Sequence, residues 1–162
     1  MSLREISISL PNRPGTLARV ARTLAKDRIN VAAISVDSTP SKGRVRLIVN
    51  DPDRALKLLS AAGYGAEVRE MIAVHLEDRA GSFLRVLEIL AQEKVNLQSV
   101  AILVAREGNQ TLAALSTDDL RRARKVLAAA GFASQRAERI VSNADLLASA
   151  PTIPSESVAL LL

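Results

Sequence analysis

The sequence predicts an α+β protein made of two tandem βαββαβ units. Three observations predict this fold: the chain repeats itself at a displacement of 66 residues, each copy begins with a strand pattern, and each strand pattern runs directly into a helix pattern. The chain has 162 residues, of which 48% are hydrophobic and 24% are charged, so a sizeable core can be buried. We expect domains at residues 1–70 and 71–141, followed by a tail at 142–162.

Internal repetition carries most of this prediction. Residues 6–31 align with residues 72–97, and after a two-residue insertion in the second copy, residues 53–64 align with residues 121–132. Solenoid repeats are about 20–50 residues long, so a longer period present twice indicates a duplicated domain. The identical pairs are Ile6/Ile72, Leu10/Leu76, Arg13/Arg79, Gly15/Gly81, Arg19/Arg85, Val20/Val86, Leu24/Leu90, Ala25/Ala91, Asn30/Asn96, Ala55/Ala123, Lys57/Lys125, Leu59/Leu127, Ala61/Ala129, Ala62/Ala130 and Gly63/Gly131.

The elements of the first copy follow from hydrophobic periodicity. Ile6, Ile8 and Leu10 alternate with serines, which is typical of a strand with one buried face. The remaining elements are a helix with apolar positions Leu17, Val20, Ala21 and Leu24, strands at 30–38 and 44–50, a helix over 55–62 that ends at Gly63, and a last strand at 67–70. Because that strand runs into the second copy without a linker, we expect the copies to be rigidly coupled.

This element order is that of a ferredoxin-like sandwich, an antiparallel sheet with two helices on one face. The other face and the sheet edges stay open, so we expect the two copies, and two chains, to pair side by side in extended sheets. The second copy's strand at 97–105 is apolar on both faces, which favours burial at such an interface. The alternative is an apolar strand inside its own copy.

Composition excludes several classes of function. The chain has no cysteine and one histidine, His75, which removes disulfides, thiolate nucleophiles and the usual metal sites. The longest apolar run, Val100–Ala105, is too short to cross a membrane, and no secretory signal begins the sequence, so we expect a cytoplasmic protein. The net charge of +5 is scattered over helix surfaces, and aromatic residues are few, which disfavours nucleic-acid binding.

The residues most suggestive of a binding site form the turn between the first strand and the first helix of each copy. These turns are Asn12-Arg13-Pro14-Gly15-Thr16-Leu17 and Asp78-Arg79-Ala80-Gly81-Ser82-Phe83. Asn30 and Asn96 each open the strand that follows. With these turns and asparagines, each copy resembles the ACT domain, a small ligand-binding module. The resemblance covers Ile6 to about Val68 and Ile72 to about Val141. A helix N-terminus offers free amides and a positive dipole end, which suit the carboxylate of a free amino acid.

The resemblance implies pockets at the seam between one domain's turn and the other domain's second strand. The first pocket combines Asn12, Arg13, Pro14, Gly15, Thr16 and Leu17 with Asn96 and Leu97, and the second combines Asp78, Arg79, Gly81, Ser82 and Phe83 with Asn30 and Val31. Ala80 and Asp78 depart from the family's turn, and an acid repels a carboxylate, so we expect the first pocket to bind better. Alternatively, the turns only start helices and the asparagines are turn residues. We expect His75 to be a surface or seam residue rather than a catalytic base.

The expected function is that of a non-catalytic, allosteric amino-acid-binding regulator that forms a homodimer and needs no cofactor or metal. One alternative is the regulatory small subunit of an amino-acid biosynthetic enzyme, of the acetolactate synthase type, although the second half of such subunits does not repeat the glycine turn. An enzyme would need a nucleophile or acid–base pair that the sequence does not show. The tail at 142–162 is either a disordered end or a segment that docks on a neighbouring chain.

Overall fold

The computed structural model describes residues 3–77, 79–107 and 110–132. The predicted order of strands and helices is confirmed as far as these residues reach, and the expected last strand of the second copy and the tail lie outside them. The elements are β1 (Leu3–Pro11), α1 (Thr16–Lys26), β2 (Val31–Ser38), β3 (Lys42–Val49), α2 (Pro52–Ala61), β4 (Ala66–Glu77), α3 (Ser82–Gln92), β5 (Leu97–Glu107), β6 (Gln110–Thr117) and α4 (Leu120–Ala129).

The described strands form one antiparallel sheet of six strands in the order β2-β3-β1-β4-β6-β5. Strand β4 belongs to both copies. Its first half pairs with β1, where Leu3 lies opposite Met71, and its second half pairs with β6, where Ile72 lies opposite Leu115. The two units are therefore joined in one extended sheet through a shared strand, without a linker, as the sequence predicted.

Each unit has its own core between the sheet and two helices. In the first unit the even-numbered apolar residues of β1 pack with Val20, Leu24 and Leu59, and in the second unit Ile72, Val74 and Leu76 of β4 occupy the equivalent positions. Leu59 of α2 and Leu127 of α4 correspond to each other, and both are fully buried. Burying such side chains contributes about 1.5–3 kcal/mol each, so both helix pairs are held on the sheet mainly by these contacts.

A third core lies on the sheet face opposite the helices and contains residues of both units. Leu3, Ala33 and Ile48 of the first unit pack there with Met71 of the shared strand and Leu112 of the second unit. Strands β2 and β5, at the two ends of the strand order, also contact each other. The sheet is therefore curled, with the third core inside the curl and the helices outside.

The described residues cover one face of strand β5 and leave the other exposed. Leu103 is buried in the third core, whereas Val100 and Ile102 are 44% and 58% exposed. The corresponding residues of β2, Ile34 and Val36, are 54% and 49% exposed. The expected burial of an apolar β5 is thus found on one face, and the described residues leave the equivalent strip exposed on both units.

Candidate functional site

The two glycine turns have nearly the same backbone. Gly15 and Gly81 have φ values of +79° and +87°, a left-handed conformation that other residues rarely adopt. An added Cβ would meet no heavy atom within 4 Å at either position, so the positive φ is what requires glycine in the free protein. Helices α1 and α3 begin at the next residue in each case.

Both helices begin without a side-chain cap. The amides of Thr16 and Ser82 donate to the turn carbonyls of Arg13 and Arg79 at 3.2 and 3.3 Å, and the helix ladder begins at the fourth residue after each glycine. The two amides in between have no partner within the helix, because the first turn of any helix leaves its donors unsatisfied. Neither first turn contains an acidic residue, so each N-terminus keeps its positive dipole end available to an anion.

The first turn packs against the hairpin of its own unit. The Asn12 side-chain amide donates to the Thr39 carbonyl at 2.8 Å, and the Asn12 backbone amide donates to the Ser41 carbonyl at 3.2 Å. Thr16 is buried, and Arg13, Pro14, Gly15 and Leu17 are exposed. The first turn is therefore an open surface, and Asn12 already has a structural partner.

An open cavity of about 410 Å³ lies beside that hairpin on the sheet face. The Arg46 guanidinium forms an ion pair with Asp37 and donates to Ser35 Oγ at 3.1 Å, so its charge is balanced. Ser9, Asp37, Ser38, Thr39, Lys42, Gly43, Arg44 and Arg46 line the cavity. None of the predicted turn residues is among them.

The second turn borders a smaller cavity of about 140 Å³. It opens between the end of β4, the start of α3 and the segment that follows α4. The lining residues are His75, Glu77, Arg79, Ser82, Arg85, Ala130, Gly131 and Phe132. Two predicted site residues, Arg79 and Ser82, thus lie in one cavity with residues of the same unit.

The polar groups of this cavity are arranged by local contacts. Ser82 is 8% exposed, and its buried Oγ has no hydrogen-bond partner among the described residues. The Arg85 guanidinium lies 5.8 Å from the centroid of the Phe132 ring, within the range of a cation–π interaction. The His75 amide donates to the Phe132 carbonyl at 2.8 Å, and Arg79 forms an ion pair with Glu77 at the exposed edge.

Sequence reasoning placed six of the eight lining residues in no site: His75, Glu77, Arg85, Ala130, Gly131 and Phe132. His75 was expected at the surface or seam, and it lies in the cavity wall, half-buried. One signal was present in the sequence, because Arg85 follows Ser82 by three residues and therefore shares its face of the helix. The approach of Phe132 to β4 depends on the tertiary fold.

The asparagines that open the second strands have backbone roles. The Asn30 amide donates to Asn50 Oδ1 at 3.0 Å, and the Asn96 amide donates to Asp118 Oδ1 at 2.9 Å. The return bonds, from the backbone amides of Asn50 and Asp118, end on the carbonyls of the same asparagines. These contacts fit the interpretation of both asparagines as turn residues.

The predicted seam partners lie apart from the cavity at the second turn. Val31 packs against the helix-side core of the first unit and Leu97 against that of the second. Neither Asn30 nor Val31 lines the cavity that holds Arg79 and Ser82. Phe83 packs against the second unit's core, and Asp78 lies outside the described residues. Pairing of a turn with the other unit's second strand stays a prediction.

Metal binding and membrane crossing can both be judged for the described residues. Within residues 3–77, 79–107 and 110–132, no group of three or more histidines and acidic residues is placed to hold a metal ion. None of the helices in this part of the chain is long and apolar enough to cross a lipid bilayer.

The fold and its repeated helix-opening turn define a tandem ferredoxin-like module whose two units share one sheet. The profile of the ACT domain pair matches residues 1–141, and the chain belongs to this family. ACT domains are regulatory modules, so the chain has a regulatory, small-molecule-binding role at the level of the family. A comparison with curated proteins found no match.

Solved structures with the same fold agree with this assignment. Protein BT0572 from Bacteroides thetaiotaomicron is 25% identical with a TM-score of 0.75, over 82% of this chain and 91% of that one. The ligand-free regulatory subunit of aspartate kinase from Thermus thermophilus is 20% identical with a TM-score of 0.58, over 80% and 92%. The corresponding subunit from Thermus flavus is 18% identical with a TM-score of 0.57, over 81% and 94%. The likeness to these subunits concerns the fold.

Proposed function

We propose that the protein is a non-catalytic regulator that binds a free amino acid and controls a separate enzyme of amino-acid metabolism. The observation that carries this proposal is the pair of uncapped helix N-termini behind Gly15 and Gly81. A carboxylate satisfies the free amides of such a terminus and is stabilised by the helix dipole. An amino acid supplies that carboxylate together with a side chain that gives the regulator its specificity.

We place the first site at the seam between the units, where the turn Asn12–Leu17 would meet Asn96 and Leu97. The contact between β2 and β5 supports this placement. Adjacent strands of the sheet are antiparallel, so β2 and β5, the first and last strands in the order, run in opposite directions. The end of β2 and the start of β5 therefore lie at the same end of the sheet. Asn12 holds the end of that hairpin through Thr39. A ligand there would contact both units, which is a means of allosteric control.

A second chain is the expected partner of the exposed strips on β2 and β5. In the described part of the chain each of these strands pairs along one edge only, and Ile34, Val36, Val100 and Ile102 are exposed beside the other edge. Open strand edges with apolar neighbours favour pairing with another chain. The proposal therefore includes a homodimer in which a β2 or β5 edge meets its counterpart.

The regulated reaction belongs to another polypeptide under this proposal. The chain has no cysteine, and its single histidine lies in the small cavity rather than beside an acid–base pair that we can identify. Aspartate kinase regulatory subunits have this fold. If this chain stays permanently bound to the enzyme that it controls, it is a regulatory subunit of a biosynthetic enzyme. We place the protein and its partner in the cytoplasm.

The test is a screen of the twenty amino acids for a rise in melting temperature of the full chain. At a concentration of one hundred times Kd, a ligand of the folded state stabilises it by about 2.7 kcal/mol, which corresponds to about 5–10 °C for a chain of this size. The amide of the same amino acid is the control, because it lacks the carboxylate. A flat response to all twenty amino acids would contradict the proposal.

A further inference from the structure

We infer that a cavity on the sheet face of the first unit, on the side opposite the helices, is a binding site for inorganic phosphate. The inference goes beyond the proposed function, because it gives the chain a ligand of another class at another place. The cavity has a volume of about 140 Å³ and lies across β1, β3 and β4. None of the turn residues at 12–17 and 78–83 lines it.

The register of the strands produces this hollow. Ser7 of β1 lies opposite Arg46 of β3 and opposite Glu67 of β4. Its neighbours Ile6 and Ile8 face the helix-side core, so Ser7 points to the other face of the sheet. A small side chain between longer ones leaves an open space above it, and the Ser7 hydroxyl offers a hydrogen-bond donor there.

Two guanidinium groups of this cavity are available to an anion. Arg44 of β3 and Arg69 of β4 lie diagonally across β1 from each other, on either side of Ser7, and both line the cavity. Neither forms a hydrogen bond or an ion pair through its side chain with the described residues, whereas Arg46 is paired with Asp37. Guanidinium groups bind phosphate oxygens through paired, charge-assisted hydrogen bonds, so Arg44 and Arg69 suit a tetrahedral oxyanion.

The acid Glu5 determines which oxyanion fits. Glu5 lines the cavity, is only 5% exposed, and has no hydrogen-bond or ion-pair partner among the described residues. A buried carboxylate without a partner is costly, and it repels an anion that has no proton to donate. Inorganic phosphate keeps an O–H group at neutral pH and donates it to Glu5, whereas sulfate has none. Glu67, the other acid in the lining, is exposed to water, which screens its charge.

The size and lining of the cavity favour a compact ion over an organic ligand. Pockets for drug-sized ligands have volumes of roughly 300–1,000 Å³, well above the volume of this one. Among the described residues that line it, Val68 is the only apolar one. An amino acid or a nucleoside would find little apolar surface to contact there, while a small polar ion uses the charged groups fully.

The second unit has apolar residues at the equivalent positions. They are buried in the core between the units, and no anion could be bound by them. The replacements are Met71 for Glu5, Ala73 for Ser7, Leu112 for Arg44 and Ala114 for Arg46. The cavity is therefore a property of the first unit and not of the repeat.

The test is titration calorimetry of the full chain with inorganic phosphate at neutral pH. We expect Arg44→Gln and Arg69→Gln each to weaken phosphate binding ten- to a hundred-fold, the range for a lost hydrogen bond to a charged group. Both side chains are exposed, so these variants should melt like the natural chain. The matched control is Arg22→Gln, which removes an exposed arginine of α1 outside the cavity and should leave the affinity unchanged.

A second kind of variant fills the cavity. Ser7→Val places a larger apolar side chain at its centre and should abolish phosphate binding, while a β-branched residue is well suited to a strand. A Ser7→Val protein that melts like the natural chain and still binds phosphate with the natural affinity would overturn the inference.

The role of Glu5 is tested by comparing anions. The natural chain should bind phosphate at least about ten-fold more tightly than sulfate, and Glu5→Gln should reduce this ratio to a few-fold, because a neutral amide does not repel sulfate. Methyl phosphate should bind more weakly than free phosphate, since such esters lose their last proton near pH 6. Equal affinity for phosphate and sulfate, or an Arg22→Gln loss as large as that of Arg69→Gln, would overturn the inference. So would an absence of phosphate binding, and none of these results would affect the proposed function.

Discussion

The turns at Gly15 and Gly81 have the same backbone and different surroundings. Each glycine has a positive φ near 80°, and each next residue donates to the carbonyl two positions before that glycine. The first turn is tied to the hairpin of its own unit through Asn12, whereas the second borders a cavity that Phe132 also lines. The comparison teaches that the turn motif builds a helix N-terminus, and that residues from other elements decide whether a pocket forms there.

The two sheet faces away from the helices differ in the same way. Arg44 and Arg46 of β3 correspond to Leu112 and Ala114 of β6 in the register of the sheet. The β6 residues are fully buried in the core between the units, whereas the β3 residues line open cavities. At these two register positions the first unit is therefore charged and open where the second unit is apolar and buried.

The largest expected effect comes from truncating the two cores at equivalent positions. Leu59→Ala and Leu127→Ala should each destabilise the protein by about 2–5 kcal/mol, because both leucines are fully buried. Since β4 belongs to both units, we expect one cooperative transition in urea for either variant, followed by circular dichroism. Two separate transitions would show that the units unfold independently despite the shared strand.

The next effect concerns the turn glycines. Gly15→Ala and Gly81→Ala should each cost about 1–2 kcal/mol, since both impose a left-handed backbone on a residue with a Cβ. Open space around both glycines means that no clash adds to this cost. Urea midpoints of the two variants check the equality. A clearly larger loss at Gly81 would mean that the two turns differ in backbone requirement as well as in surroundings.

A smaller effect separates the first turn from the second. Asn12→Ala should destabilise the protein by about 0.5–1.5 kcal/mol, because it removes the bond from the Asn12 side chain to the Thr39 carbonyl. Asn12→Asp should lose the same bond, since a carboxylate cannot donate. Chemical denaturation of both variants provides the measurement. Full stability in either one would exclude the hairpin contact as a constraint on the first turn.

The smallest effect is a pH dependence of stability in the first unit. The Arg4 guanidinium, 2.7 Å from Asp53, lowers the pKa of that carboxyl below 3.8, its ordinary value. A group whose pKa is lower in the folded state stabilises the protein at any pH above its unfolded-state pKa. That stabilisation is lost as the pH falls through its folded-state pKa. Asp53→Asn should therefore be slightly less stable than the natural chain at neutral pH, and the difference should shrink below pH 3.8 and vanish once the pH falls through the lowered pKa of the folded state. A difference that persists in acid would contradict the pair's role.

Most of the fold could be predicted because periodicity and repetition are local properties of the sequence. The alternation around Ile8, the helical spacing around Val20 and the glycine at Gly15 each predict an element that the structure contains. The junction near Met71 could also be predicted, since no turn residues separate the last strand of one copy from the first strand of the next. The seam pockets could not be derived in this way, because they depend on how two units are oriented.

The sequence by itself determined the two βαββ repeats, their shared strand and the helix-opening turns, since each depends on the conformational preferences of neighbouring residues. Only the tertiary structure decided that the sheet curls into a third core, that Asn12 contacts the hairpin, and that Phe132 joins Ser82 and Arg85 at one cavity. Phe132 and Ser82 are 50 positions apart in the chain. Contacts at that separation are selected by the packing of whole elements, which no local pattern specifies.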